Sequence, residues 1–161
     1  MLGAAVNTQQ GLSLIELMVV VAITAVLAGV AIPSYSTALI SSKVTVMANL
    51  VSQDLNFAKY HALRQNGKPV YLTINNGALC LSSSASPNTC DIRKDLISSS
   101  VALTMVDAKN TGTAVSQITF GSIYGLPNQA VQFNISATNG SYTKTKTITL
   151  NTIGLIKTVS S

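Results

Sequence analysis

The chain has 161 residues, enough for one domain and an appended segment; 47% of them are hydrophobic and only 9% are charged. Its formal charge of +5 is spread over Lys43, Lys59, Arg64, Lys68, Arg93, Lys94, Lys109, Lys144, Lys146 and Lys157, which excludes a basic nucleic-acid-binding tail. Two cysteines and one histidine, with no CxxC or Cys/His cluster, argue against a metal site, and neither metal nor cofactor is expected.

After ten residues comes the apolar run GLSLIELMVVVAITAVLAGVAIPSY, Gly11 to Tyr35. From Leu12 to Ile32 it is interrupted only by Ser13, Glu16 and Thr24. A helix of that length, rising about 1.5 Å per residue, crosses the ~30 Å hydrocarbon core of a bilayer. A cleaved secretory signal would carry a basic n-region and a shorter apolar core. Here MLGAAVNTQQ has no side-chain charge and Lys43 is the nearest side-chain cation, so the positive-inside bias gives no orientation. Glu16 is the anomaly. A carboxylate at a bilayer centre costs about 3 kcal/mol on insertion scales, so Glu16 either snorkels to the membrane edge or meets a partner. Pro33 lacks a backbone donor and is expected to kink or break the helix.

Beyond Pro33, Ile40, Val44, Met47, Val51, Leu55, Ala58 and Ala62 recur three and four apart. They draw one apolar stripe along an amphipathic helix, with Ser42, Lys43, Asn49, Asn56 and Lys59 mostly off it. RQNGKP, Arg64 to Pro69, ends that helix with a cation, Gly67 and Pro69. Strand signals follow. PVYLTI and ALCLS flank NNG, a hairpin whose Asn-Gly turn accepts positive φ. VALTMV, QITFGSIY, AVQFNIS and KTKTITLNTI are further strands, ATNGS a second hairpin turn, and DAKNTGTAVS a mobile surface loop. Alternation in Val131, Phe133 and Ile135, and in Ile148 and Leu150, buries one sheet face. The expected class is α+β: a long N-terminal helix, membrane-spanning in its first half, packed on an antiparallel β-sheet globular head. Cys80 and Cys90 bracket the loop-like LSSSASPNT. In an exported chain they read as a disulfide, a closure worth about 2–3 kcal/mol; the alternative is two unpaired structural thiols.

Catalytic chemistry has little to draw on. His61 is the sole histidine, beside the apolar stripe, and reads as a packing or surface residue. Asp54, Asp91, Asp95 and Asp107 are scattered over unlike elements and suggest no acid/base pair. TGTAVS is too poor in glycine for a phosphate loop, and LSSSAS contains no G-x-S-x-G elbow. No enzyme is expected.

The opening run resembles the N-terminal signature of type IV pilins and pseudopilins: a Gly, a hydrophobic residue, a Glu at the fifth position of the mature chain, then an apolar helix broken by Pro. Gly11, Leu12, Glu16 and Pro33 fall at the matching offsets, Leu12 standing where the family usually has Phe. The resemblance implies cleavage between Gly11 and Leu12 by prepilin peptidase, which also N-methylates Leu12. It divides the chain into a leader (1–11), a transmembrane and assembly helix (12–33), an amphipathic helix entering the head (34–66) and a β-rich head (67–161). Glu16 becomes an assembly determinant, its carboxylate pairing with a neighbouring subunit's N-terminal amine, which relieves the desolvation of both groups.

AKYHALRQNGKPVYL, the Cys-containing hairpin, TFG and ITLNTIGLIKT are similar to the GspH/FimT group of minor pilins. In DNA-uptake members of that group a terminal Gly-Arg-x-Arg motif contacts DNA. The aligned stretch here is Gly154-Leu155-Ile156-Lys157, in which Leu155 and Lys157 replace the arginines; a lysine lacks the bidentate fork. The resemblance implies a non-enzymatic minor pilin of a type IV pilus, acting in pilus initiation. It would sit in the inner membrane as a single-pass protein with a periplasmic head, then enter the pilus. Its partners would be prepilin peptidase, other major and minor pilins, and the pilus assembly platform. Two alternatives share the signature: a competence pilin binding DNA through Lys144, Lys146 and Lys157, and a type II secretion pseudopilin H.

Overall fold

A computed structural model describes residues 13–65, 68–86, 89–110, 112–121 and 123–160. The chain divides into two compact units at Ser36/Thr37. A single α-helix, α1 (Leu14–Arg64, 51 residues), contributes to both. It is continuous through position 33, where a kink or a break was expected, so Pro33 does not end it. Proline deprives one carbonyl, that of Gly29, of its i+4 donor. One missing bond in a helix this long is outweighed by the bonds on either side. Gly67, the expected stop, lies outside the described residues.

In the first unit the apolar side chains are exposed: Leu14, Ile15, Leu17, Val26, Val30 and Ile32 all face outward. In the second, every residue of the expected stripe from Ile40 to Ala62 is buried. The strands around it are β1 (Val70–Asn75), β2 (Ala78–Ser82), β3 (Arg93–Leu96), β4 (Ala102–Asp107), β5 (Gln117–Phe120), β6 (Val131–Asn139), β7 (Tyr142–Leu150) and β8 (Ile156–Ser160). They form two four-stranded sheets, ordered β3-β2-β1-β5 and β4-β6-β7-β8, and every pairing is antiparallel. The helix stripe, Leu72, Leu79, Leu81, Ile118 and Phe120 of the first sheet, and Phe133, Ile135, Ile148 and Leu150 of the second form one core.

Turn chemistry sets the register. Asn76 and Gly77 both have positive φ, 47° and 70°, as the tight turn between β1 and β2 demands. Gly140, at φ 59°, opens the turn in which Asn139 pairs with Tyr142. β5 ends at Phe120, short of the expected QITFGSIY strand. There the chain turns back instead, with Gly121 N–H donating to Leu126 C=O and Gly125 N–H to Gly121 C=O. Gly125, at φ 61°, lies where a Cβ would come within 2.6 Å of the Lys59 carbonyl oxygen; only glycine permits that approach. The expected mobile loop after β4 is tied back: Val115 N–H donates to Met105 C=O, and Asp107 N–H to Thr113 C=O.

Two strands were not expected. β3, Arg-Lys-Asp-Leu, is a short charged edge, and β8 is an edge whose residues after Ile156 are exposed. Edges lack the apolar alternation that marks a buried strand, and charge on them discourages further pairing.

Cys80 and Cys90 form a disulfide, at a sequence separation of 10. All of β2 is buried. Leu79 and Leu81 face the helix, whereas Cys80 faces the other side and carries the bridge there. Replacing Cys90 with serine is expected to cost about 3 kcal/mol, the loop-closure term for a ring of this size. Chemical denaturation of oxidised wild type against the variant measures it.

Candidate functional site

Gly11 and Leu12, the expected processing positions, lie outside the described residues. Glu16 is in the first turn of α1 and exposed among exposed Leu14, Ile15 and Leu17. The spacing Ser13-x-x-Glu16 is that of a capping box, and a carboxylate in a first turn faces the positive end of the helix dipole. The segment that follows is long and apolar enough to cross a membrane, and none of its most apolar window is buried. Lipid or other apolar helices are the surroundings in which such a surface is stable.

The three lysines expected to form one patch do not share a sheet face. Lys146 pairs with Ile135 and Lys144 with Ala137, both buried. With their even-numbered neighbours Ile148 and Leu150, they stand on the core-facing side of β7, near its end. Lys157 pairs with Thr149, one residue out of phase with Ile148 and Leu150, and so stands on the opposite face. The period of two, which aligns Lys144 with Lys146, separates Lys157 from both.

Gly154-Leu155-Ile156-Lys157 begins in a turn, with Gly154 at φ 76° donating its N–H to Asn151 C=O. Lys59 Nζ reaches the Gly154 carbonyl at 3.5 Å. Leu155 is exposed and Ile156 packs against the core. An arginine in place of Leu155 would be solvent-accessible; the leucine offers an apolar surface instead.

His61 stacks on Phe57, ring centroids 5.4 Å apart, with Gln65 Nε2 at 3.4 Å from its Nδ1. Among the described residues no three His, Cys, Asp or Glu side chains gather as metal ligands.

The structure joins two carboxylates that looked unrelated in the sequence. Asp54 lies on the buried side of α1 and is fully buried. On β3, Arg93 pairs with Leu81 and Asp95 with Leu79, so both point to the helix side. Arg93 Nε lies 2.6 Å from Asp95 Oδ2 and 2.9 Å from Asp54 Oδ1, and the guanidinium sits 5.5 Å from the Phe57 ring centroid. The Nε hydrogen is aimed at Asp95; both Asp54 oxygens lack an aligned donor despite the close cation. Burial, then the Asp95 carboxyl, pushes Asp54 up to about 7, and Arg93 opposes this only in part. Arg93 is raised, first through its hydrogen bond to Asp95. Asp91, by contrast, is lowered by the Ser83 hydroxyl. The sequence clue to Asp54 was its place one residue before Leu55, on the stripe's own side of the helix.

Residues 6–32 match the family described as the prokaryotic N-terminal methylation motif, a span containing Gly11, Leu12 and Glu16. Residues 47–154 match the family described as type II transport protein GspH, from the second half of α1 into the turn before β8. No curated protein and no solved structure gives a significant match. Type IV pilin-like proteins with this motif are processed by prepilin peptidase and assemble with other pilins. With more than half of its length inside one family and the methylation motif ahead of it, the chain belongs to the GspH family of type IV pilins and pseudopilins.

Proposed function

We propose that this protein is a non-enzymatic minor subunit of a type IV pilus, held in the inner membrane by the first half of α1 until assembly draws it into the filament. The observation that carries this reading is the division of one helix into two solvation regimes. Residues up to Ile32 expose apolar side chains, whereas Ile40 to Ala62 bury theirs in the head. An exposed apolar helix bearing one early carboxylate suits transfer from lipid to a bundle of like helices, where Glu16 meets a neighbouring subunit's amine. The head would then contact adjacent minor pilins. Deleting the gene in frame is expected to reduce surface pili seen by electron microscopy and to abolish twitching, with recovery on complementation.

The family description favours a second reading, a pseudopilin of a type II secretion machine. Normal piliation with loss of exoprotein secretion in the same deletion would establish it and overturn the first. DNA reception has less support, since Lys157 stands on the face opposite Lys144 and Lys146. Phosphate binding scales with the cations engaged together. Gel-shift titration of the full chain in detergent at low salt is expected to show no loss of duplex retention on Lys144→Ala plus Lys146→Ala.

A further inference from the structure

We propose that Asp54, Arg93 and Asp95 form a proton-operated latch that fastens the edge strand β3 to helix α1. β3 is only four residues long, pairs with β2 on one side, and is the outer strand of its sheet. The groups that would anchor it to the helix are charged where a core strand would be apolar. Two carboxylates face one guanidinium, and the more deeply buried of them, Asp54, is the one without an aligned donor.

With both acids ionised, the cluster holds one uncompensated negative charge against the core, which is costly. A single proton removes it. Protonated Asp54 becomes an O–H donor toward Asp95, while Arg93 keeps its hydrogen bond to Asp95, leaving one cation, one anion and one neutral acid. β2 carries no charged side chain. Tyr60, His61 and Arg64, all on α1, share the pocket beside Phe57, His61 one ring beyond it. Unfolded Asp54 titrates near 3.8 and the folded group near 7. Between those values only the closed state holds the proton, so closure weakens as pH rises across that window and is level above it. β3 leads into Leu96 and Ile97, which with Leu39, Val46 and Leu50 line a groove of about 350 Å³; loosening the latch would reshape that groove.

Amide hydrogen exchange of the full chain in detergent micelles, expressed as opening constants so that intrinsic exchange drops out, tests the latch. In wild type the β3 amides are expected to open at least about tenfold more between pH 5 and pH 7, then level off. Asp54→Asn, neutral at every pH, is expected to flatten the profile, and Asp95→Asn, which leaves one acid per guanidinium, to move the step below pH 5. A flat wild-type profile overturns the proposal, as does an unchanged step in Asp54→Asn, which would place the titrating group outside the latch. Should the variants fail to fold, ¹³C titration of the Asp54 carboxyl in wild type decides: a midpoint near 7 supports the latch and one below 5 overturns it.

Discussion

Replacing Glu16 with alanine is expected to leave the protein in the membrane and remove it from assembled filaments. Alanine lowers the cost of insertion, because the carboxylate alone is worth about 3 kcal/mol against lipid. If Glu16 were only a tolerated passenger or a helix cap, its loss would therefore leave anchoring intact and assembly unimpaired. If it pairs with a neighbour's amine, alanine strands that cation in an apolar bundle, a penalty of about 3–5 kcal/mol. Fractionation should find the variant in the membrane fraction at wild-type levels, and sheared filaments should lack it. Glu16→Gln keeps the shape and hydrogen-bonding capacity without the charge; it is expected to retain only part of the assembly. Filaments containing the alanine variant at wild-type levels would assign Glu16 to capping alone.

Replacing Phe133 with alanine is expected to destabilise the head by about 3–5 kcal/mol, the range for emptying a buried aromatic site. Phe133 is fully buried in β6, paired with Met105 on one side and Ile148 on the other. Its strand is interior to its sheet, so the backbone cannot shift inward without breaking ladders on both flanks. A domain of this size has a net stability of about 5–15 kcal/mol, so the variant approaches the threshold of folding. Gln132→Ala, one residue away on the opposite face, removes a half-buried hydrogen bond to Asn134 and is expected to cost only about 1 kcal/mol. Urea unfolding of the full chain in detergent, followed by far-UV circular dichroism, compares the two.

The helix and most strands were legible because burial on one face leaves a period in the sequence. The stripe from Ile40 to Ala62 has the helical period, and Val131, Phe133 and Ile135 have the strand period. Asn76-Gly77 was legible because few residues accept two successive positive φ values. β3 and β8 were not, because an edge strand is held by backbone bonds that any side chain permits. Pro33 does not end the helix, because a local preference against helix is small beside the cooperativity of a long one.

The sequence by itself determined which segments are apolar, where one acid lies among them, and what local conformations the turns require, since those are properties of neighbours along the chain. Only the tertiary structure decided which distant residues meet. It put Lys157 on the sheet face away from Lys144 and Lys146, and it brought Asp54 and Asp95 together around Arg93. Strand register fixes both results. Sliding one strand by a single residue would reverse the face of every side chain on it, and no spacing within a single segment encodes that choice.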